Sequence, residues 1–287
     1  MKPIQTHIAP LQSNAIRLQD YGVGLFETIT TKSALKKTLK KELITVNGIT
    51  ATSATFIKGG ETITLFASEN EGTKTKLIFK LKVLFEDDYL AIVHKPAGIL
   101  VSGNTFKTVA NALTQNLQKS TQPDATIPQP VHRLDYATTG ILLIGKTSSS
   151  ITALNKIFEN RAITKTYYAI TIGAMPESGN INDTVDGKYA ASDFKVYNTV
   201  PSKRFTTLNL VKLHPQTGRR HQLRKHLASI GNPILGDKTY GTAPLILNGK
   251  GMFLHAYSLK FTHPFTNEAL YIKDELPKGF KKIFVTA

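Results

Sequence analysis

Residues 131–144 read Val131-His132-Arg133-Leu134-Asp135-Tyr136-Ala137-Thr138-Thr139-Gly140-Ile141-Leu142-Leu143-Ile144. The last four are an unbroken apolar run. Without polar alternation, such a run is expected where a strand is covered on both faces, inside a layered fold. The residues before it hold one carboxylate, one arginine and a Thr-Thr-Gly close. Two readings of Asp135 stand side by side: it opens an Asx-type turn that Thr138, Thr139 and Gly140 complete, or the turn delivers its carboxylate for chemistry.

The neighbouring sequence supplies the layers. Residues 83–85 and 90–93 read as strands around the acidic turn Glu86-Asp87-Asp88, with Lys95-Pro96-Ala97-Gly98 closing the second. Residues 106–117 are expected to be helical and the polar, proline-containing stretch 120–130 a long loop. Beyond the apolar run come a helix over 150–160 and strands over 167–172 and 208–213. A helix is expected over 219–229, where Leu223, Leu227 and Ile230 recur at i, i+4 and i+7 and Gly231 follows the end. Strands mixed with a few helices make the fold class α+β: a mixed β-sheet flanked by helices. No internal repeat is present.

The N-terminal part has a different texture. Over residues 34–43, Leu35, Leu39 and Leu43 fall at i, i+4 and i+8 with Lys36, Lys37, Lys40 and Lys41 between them, an amphipathic helix with a basic face. A hairpin follows at Asn47-Gly48 between residues 44–46 and 49–52, and Lys58-Gly59-Gly60-Glu61 turns into a strand over 62–66. The polar run Ser68-Glu69-Asn70-Glu71-Gly72-Thr73-Lys74 reads as a surface linker. The expected organisation is a small module over 1–67, a linker over 68–79 and a larger domain over 80–287.

With 41% hydrophobic and 20% charged residues, the 287-residue chain is neither disordered nor fibrous in composition. Its 36 Lys and Arg against 20 Asp and Glu leave a formal charge of +16, a field that attracts polyanions. The chain has no cysteine, which excludes disulfides, thiolate nucleophiles, cysteine-held zinc and iron–sulfur clusters. No stretch approaches the ~18 consecutive apolar residues of a membrane span. The opening Met1-Lys2-Pro3-Ile4-Gln5-Thr6-His7 lacks the apolar core of a secretion signal, so cytoplasmic residence is expected.

Most routes to chemistry fall away on spacing. His221 and His226 are five apart, which on one helix directs them ~140° from each other, so they share no metal. Gly22-Val23-Gly24 lacks the third glycine of a dinucleotide loop, and neither a P-loop nor a Gly-x-Ser-x-Gly elbow occurs. No metal and no cofactor is expected. Three segments join the Asp135 stretch: Lys165-Thr166-Tyr167-Tyr168, either core packing or a base-stacking platform; Thr217-Gly218-Arg219-Arg220-His221-Gln222-Leu223-Arg224-Lys225-His226, with its dense cations; and Asn232-Pro233-Ile234-Leu235-Gly236-Asp237.

Taken together, the chain resembles the pseudouridine synthases of the large-subunit ribosomal RNA type, the RluA-type family. The resemblance rests on His132-Arg133-Leu134-Asp135 with Thr138 and Gly140, Lys165-Thr166-Tyr167, Gly218 to Arg224, and Gly231 to Asp237, in family order and spacing, and with Lys95 to Gly98 and His255-Ala256 it spans roughly residues 80–265. Thr139 stands where serine is usual and His94 where asparagine commonly precedes Lys-Pro. Residues 32–66 separately resemble a small RNA-binding module first known from a small-subunit ribosomal protein, although its usual first helix is poorly matched.

What this implies is an enzyme that breaks the bond from uracil nitrogen 1 to the ribose, rotates the base and rejoins it through carbon 5, without redox change or phosphoryl donor. By resemblance, Asp135 is the essential carboxylate, as nucleophile or as base; Arg224 pairs with it; Tyr167 stacks on the base and serves a late proton transfer; Arg133 helps hold the nucleotide out of the RNA stack. Leu223 packs under the base or is ordinary core, Tyr168 points to the core, and His132 is a structural hydrogen-bonding residue. Lys36, Lys37, Lys40 and Lys41 are the candidates for phosphate contacts outside the site, on a helix that is otherwise a solvated surface. The implied partner is RNA, ribosomal first and transfer RNA next, with no membrane, and a monomer is expected. The competing readings are a catalytically inactive RNA-binding or ribosome-assembly protein and, last, a glycoside or nucleoside hydrolase, most of which need two carboxylates.

Overall fold

The structure, a computed structural model, describes residues 2–26, 28–29, 31–67, 77–247 and 249–284. The chain divides into two compact units, Met1–Lys76 and Leu77–Ala287. Most of the expected linker, residues 68–76, lies outside the described residues. Residues 77–79 do not behave as a linker: Leu77 and Phe79 pack against the core of the second unit, and Asn116 Nδ2 donates to the Phe79 carbonyl at 2.8 Å.

The first unit contains β1 (Pro3–Ile8), β2 (Ile16–Arg17), α1 (Leu18–Tyr21), α2 (Lys32–Lys40), β3 (Ile44–Val46), β4 (Ile49–Thr50), β5 (Phe56–Ile57) and β6 (Thr62–Phe66). Thr31 caps α2, its hydroxyl accepting from the Ala34 N–H at 3.2 Å. Leu35 and Leu39 sink into a cluster with Leu18, Phe26, Ile44 and Ile63, and the period-four spacing leaves Lys36, Lys37, Lys40 and Lys41 exposed. Asn47 (φ 50°) and Gly48 (φ 80°) both take positive φ, the geometry of a tight hairpin turn between β3 and β4. The sheet runs β1-β6-β3-β4.

The second unit is built on one long mixed sheet. Its strands are β7 (Lys82–Glu86), β8 (Leu90–Lys95), β9 (Ala125–Pro130), β10 (Thr139–Thr147), β11 (Thr164–Ile172), β12 (Ser178–Val185), β13 (Lys188–Ser202), β14 (Thr206–Pro215), β15 (Leu254–Thr262) and β16 (Ala269–Lys273). The order is β12-β13-β14-β11-β15-β10-β8-β7, with β9 beside β10 and β16 beside β15. The helices are α3 (Val109–Asn116), α4 (Ser148–Glu159), α5 (Gln222–Ser229) and α6 (Lys278–Ile283).

The apolar run at 141–144 is the middle of β10 and is covered on both faces. Leu142 and Ile144 join the cluster that includes Val109, Ala112 and Leu113 of α3, whereas Ile141 and Leu143 join the one that includes Leu154 of α4. Period-two alternation also splits the tyrosines of β11: Tyr167 packs at the margin of the α3 and α5 clusters, and Tyr168 on the opposite face with Phe280 of α6. At its start β10 runs parallel to β15, Gly140 opposite Ala256, whereas the other strand pairs are antiparallel. A Cβ at Gly140, where φ is 113°, would lie 2.1 Å from the Ala256 carbonyl oxygen, so only glycine lets the two backbones approach there.

Two expectations are corrected. Residues 125–130 are a strand, not loop: β9 pairs with the end of β10, and its two prolines are tolerated because an edge strand leaves N–H positions unpaired. The helix expected over 219–229 starts at Gln222, because His221 stands in the left-handed region (φ 56°), and Ile230 is exposed instead of buried.

Candidate active site

Asp135 sits in the turn that feeds β10. The turn is closed by backbone, Thr138 N–H donating to the Asp135 carbonyl at 3.1 Å, so the carboxylate is not used to make it. Lys95, at the end of β8, is fully buried and donates to the carbonyls of Thr138 (2.8 Å), Pro96 (3.0 Å) and Tyr136 (3.3 Å). Gly98 N–H adds a bond to the Tyr136 carbonyl at 2.9 Å. The Lys95-Pro96-Ala97-Gly98 segment thus grips the aspartate turn by its peptide oxygens. Behind it, His132 Nε2 accepts from the Leu143 N–H at 2.9 Å and its ring stacks on Phe158. Burial, reinforced by the Lys165 cation, pushes the imidazole down to about 3, so it stays neutral as the acceptor.

The carboxylate faces an open cleft of about 880 Å³. Asp135, Arg133, Tyr167, Leu223 and Arg224 all line it, together with Lys165, Arg219, Arg220 and His221. Arg133 is exposed, and Leu223 is buried on the α5 cluster beneath the cleft. The Tyr167 phenol is pushed up from its ordinary value by burial and by the charge of Asp135, so it enters any reaction protonated. Among the described residues Asp135 is the one carboxylate lining the cleft. Lys36, Lys37, Lys40 and Lys41 belong to the first unit and are not among the lining residues.

Arg224 is a buried side chain of α5 and not part of a solvated helix face. Asp237 holds it bidentately, with Nε–Oδ2 at 2.7 Å and Nη2–Oδ1 at 2.9 Å, and leaves Nη1 to donate to Asp135 Oδ2 at 3.3 Å. Burial opposes the charge of Asp237, but Arg224 and the amides of Thr239 and Tyr240 outweigh it and hold the carboxyl below the ordinary aspartate range. Removing one member of such a buried pair costs about 3–5 kcal/mol. Gln222 fixes the start of α5, accepting from Arg219 N–H (3.0 Å) and Thr217 hydroxyl (2.6 Å) while donating to the Ala191 carbonyl at 2.9 Å.

The sequence reading places His221 in the Gly218-to-Arg224 segment but gives neither it nor Tyr240 a role at the carboxylate. The structure brings them to the carboxylate: His221 Nε2 is 3.7 Å from Asp135 Oδ1, and its Nδ1 is 3.0 Å from the Tyr240 hydroxyl. The available signal was Asp237 with an aromatic three residues on. Thr139 and His94, where the chain departs from the family pattern, both half-buried, stand at the two ends of a run of contacts through the buried His255 and Asp274. Thr139 Oγ1 is 2.8 Å from His255 Nδ1, His255 Nε2 is 3.8 Å from Asp274, and Asp274 pairs with His94. No group of residues able to hold a metal ion is found among the described residues.

The second unit is thus a mixed sheet carrying a cation-rich cleft with one arginine-held aspartate, a site suited to a polyanionic substrate. The family model described as "RNA pseudouridylate synthase" matches residues 89–229. Ribosomal large subunit pseudouridine synthase D of Nitrosomonas europaea is 32% identical over 274 residues, covering 86% of this chain and 77% of that protein. The protein of the same name from Vibrio cholerae is 32% identical over 291 residues (90% and 87%), and an uncharacterised RNA pseudouridine synthase of Aquifex aeolicus 32% over 282 residues (88% of each). Among solved structures, human RNA pseudouridylate synthase domain containing 4 shares the fold with a TM-score of 0.55 at 24% identity, over 69% of this chain and 90% of that one. The chain belongs to the RNA pseudouridylate synthase family. No helix of the described residues is long and apolar enough to cross a membrane.

Proposed function

We propose that this protein converts specific uridines of large-subunit ribosomal RNA to pseudouridine, with Asp135 as the reacting carboxylate. The observation that carries the assignment is the pairing of Asp135 with Arg224 at the cleft, one oxygen on the guanidinium and the side chain still 26% exposed to an incoming nucleotide. A carboxylate so held is oriented toward the sugar of a flipped-out uridine, where it attacks the anomeric carbon or removes a ribose proton. The uracil, freed as its nitrogen 1 bond to the sugar breaks, turns over the Tyr167 ring and Leu223; carbon 5 then bonds to the sugar as the aspartyl–sugar bond breaks or the ribose proton returns from Asp135, and the carbon 5 proton leaves as nitrogen 1 gains one. Atoms and charge balance without a cofactor. Arg133, exposed at the cleft, offsets the few kcal/mol of base flipping by a cation beside the displaced nucleotide.

The large-subunit substrate follows from the names of the two synthase D relatives. Action as a monomer belongs to the same reading, and cytoplasmic residence accords with an RNA substrate of this kind. A hydrolase of two carboxylates is a poor fit, because the second carboxylate near the site, Asp237, is 1% exposed and bound to Arg224.

The test is pseudouridine mapping by carbodiimide-dependent reverse-transcriptase stops on large-subunit RNA and transfer RNA, treated with wild type or with Asp135→Asn. Expected are stops in large-subunit RNA with wild type alone, and RNA affinity of the variant within about 3-fold of wild type, since the phosphate contacts that dominate affinity are untouched. Stops confined to transfer RNA would overturn the substrate; turnover by the variant would overturn the role of Asp135; binding with no stops from wild type would favour the inactive scaffold.

A further inference from the structure

Arg224 secures only one oxygen of Asp135. The other, Oδ1, faces His221 Nε2 at 3.7 Å, and His221 is itself fixed from behind by the Tyr240 hydroxyl, 3.0 Å from Nδ1. Tyr240 is braced in turn: its backbone N–H donates to Asp237 Oδ1 at 3.1 Å, and its ring face lies 4.9 Å from the Arg224 guanidinium carbon. The interactions close a ring. Asp237 holds Arg224 and the Tyr240 backbone, Arg224 and His221 address one oxygen each of Asp135, and Tyr240 supports both of them.

The backbone is bent to achieve this. His221 stands at φ 56°, ψ 22°, left-handed, at the N-cap of α5, and its side chain makes no capping bond. A non-glycine residue in that region is uncommon, and such conformations cluster where the surroundings enforce them for function. Had α5 begun at Arg219, as the periodicity suggests, the His221 ring would follow the helix surface in place of facing Asp135. In the neutral ring, a Tyr240 O–H that donates to Nδ1 leaves the ring proton on Nε2, the nitrogen that faces the carboxylate.

We propose that His221, braced by Tyr240, is a positioning residue of the isomerisation: its Nε2, 3.7 Å from Oδ1 of Asp135 and outside hydrogen-bond range in the free protein, closes on that oxygen in the RNA complex so that the carboxylate meets the ribose in a single orientation. This rests on Asp135 being the reacting group. Burial lowers the basicity of His221, and the cations of Arg224, Arg220 and Lys225 oppose protonation while Asp135 favours it; Asp186 and Tyr240 are the other ionisable groups facing the ring. Protonation turns the neutral donor into an ion-pair partner that draws charge from Asp135. The rate therefore falls toward acid, below the ordinary histidine range.

The experiment is single-turnover pseudouridine formation at saturating RNA between pH 5 and 9, with RNA affinity and melting temperature, for wild type, His221→Ala, His221→Gln and Tyr240→Phe. Without a donor at Oδ1, His221→Ala should be slowed roughly 10- to 100-fold, the scale on which a misplaced reacting group costs rate, with RNA affinity unchanged. His221→Gln, whose amide nitrogen reaches the Nε2 position, should recover part of that rate and lose the acid limb, since glutamine does not titrate. Tyr240→Phe, nearly isosteric, should be slowed less and keeps the test open if His221→Ala does not fold. A His221→Ala rate equal to wild type, an acid limb that persists in His221→Gln, or rate losses matched by equal losses of affinity and stability would overturn the proposal. Wild type forming no pseudouridine would overturn the parent reading, and this inference with it.

Discussion

Lys95 is an ammonium with no water around it, spending its three N–H groups on the carbonyls of Pro96, Tyr136 and Thr138. Burial drives it down from 10.5 to about 8, against the opposing charge of Asp135. Two consequences of opposite sign follow. Between about 8 and 10.5 the folded chain gives up this proton before the unfolded chain does, so the stability contributed by this group rises with pH. The neutral amine, however, has only two donors for three carbonyls, and the Asp135 turn loosens. The single-turnover rate at saturating RNA should therefore decline above about pH 8 while the melting temperature shows no matching fall from this residue. Lys95→Met should be slow at every pH without that alkaline limb, and less stable by on the order of 3 kcal/mol, the cost of buried carbonyls left unpaired. A limb that survives in Lys95→Met assigns the titration to another group. In the sequence, Lys95 is visible only as part of a Lys-Pro-Ala-Gly segment. Nothing in local spacing announces that its ammonium reaches carbonyls more than forty residues ahead, or that His221 leaves its helix to face Asp135, because both are tertiary facts.

Elements are more legible than residues wherever one periodicity holds from end to end. β10 and the helices around it follow from apolar spacing, because Leu142 and Ile144 bury against α3 while Ile141 and Leu143 bury against the α4 side. β9 is hidden by Pro128 and Pro130, which argue against a strand unless it lies at an edge. β12 has no clear apolar signature because it buries only Ile181 and Val185, although Asp186-Gly187, both at positive φ between Val185 and Lys188, is an ordinary signal for the hairpin it forms with β13. The basic face of α2 belongs to the same scale, where exposure of Lys36, Lys37, Lys40 and Lys41 is set by the burial of Leu35 and Leu39. Replacing the four lysines by glutamine should leave the fold intact and flatten the salt dependence of RNA binding, by roughly 0.7–0.9 in log–log slope for each phosphate no longer neutralised. Binding measured from low to high salt decides it; an unchanged slope means that α2 does not touch RNA.

At the scale of the molecule, the charge of +16 is spread over two units with separate cores. Among the described residues the first unit has one hydrophobic cluster of its own, and the other four clusters lie in the second, as do all the cleft residues. Binding and chemistry are therefore expected to separate. Residues 77–287 alone should fold, with the single-turnover rate at saturating RNA within about 3-fold of the full chain, because Asp135, Tyr167, Arg224, His221 and Lys95 keep every partner named above. Affinity should fall and its salt slope should flatten, since cations of the first unit are gone from the counterion balance. Circular dichroism with a thermal melt establishes folding, and rate and affinity are then read on the same transcribed RNA. Full affinity in the shortened chain would remove the first unit from RNA binding altogether. A folded but inactive chain at saturating RNA would mean that the first unit acts on the chemical step, which a purely electrostatic tether does not do.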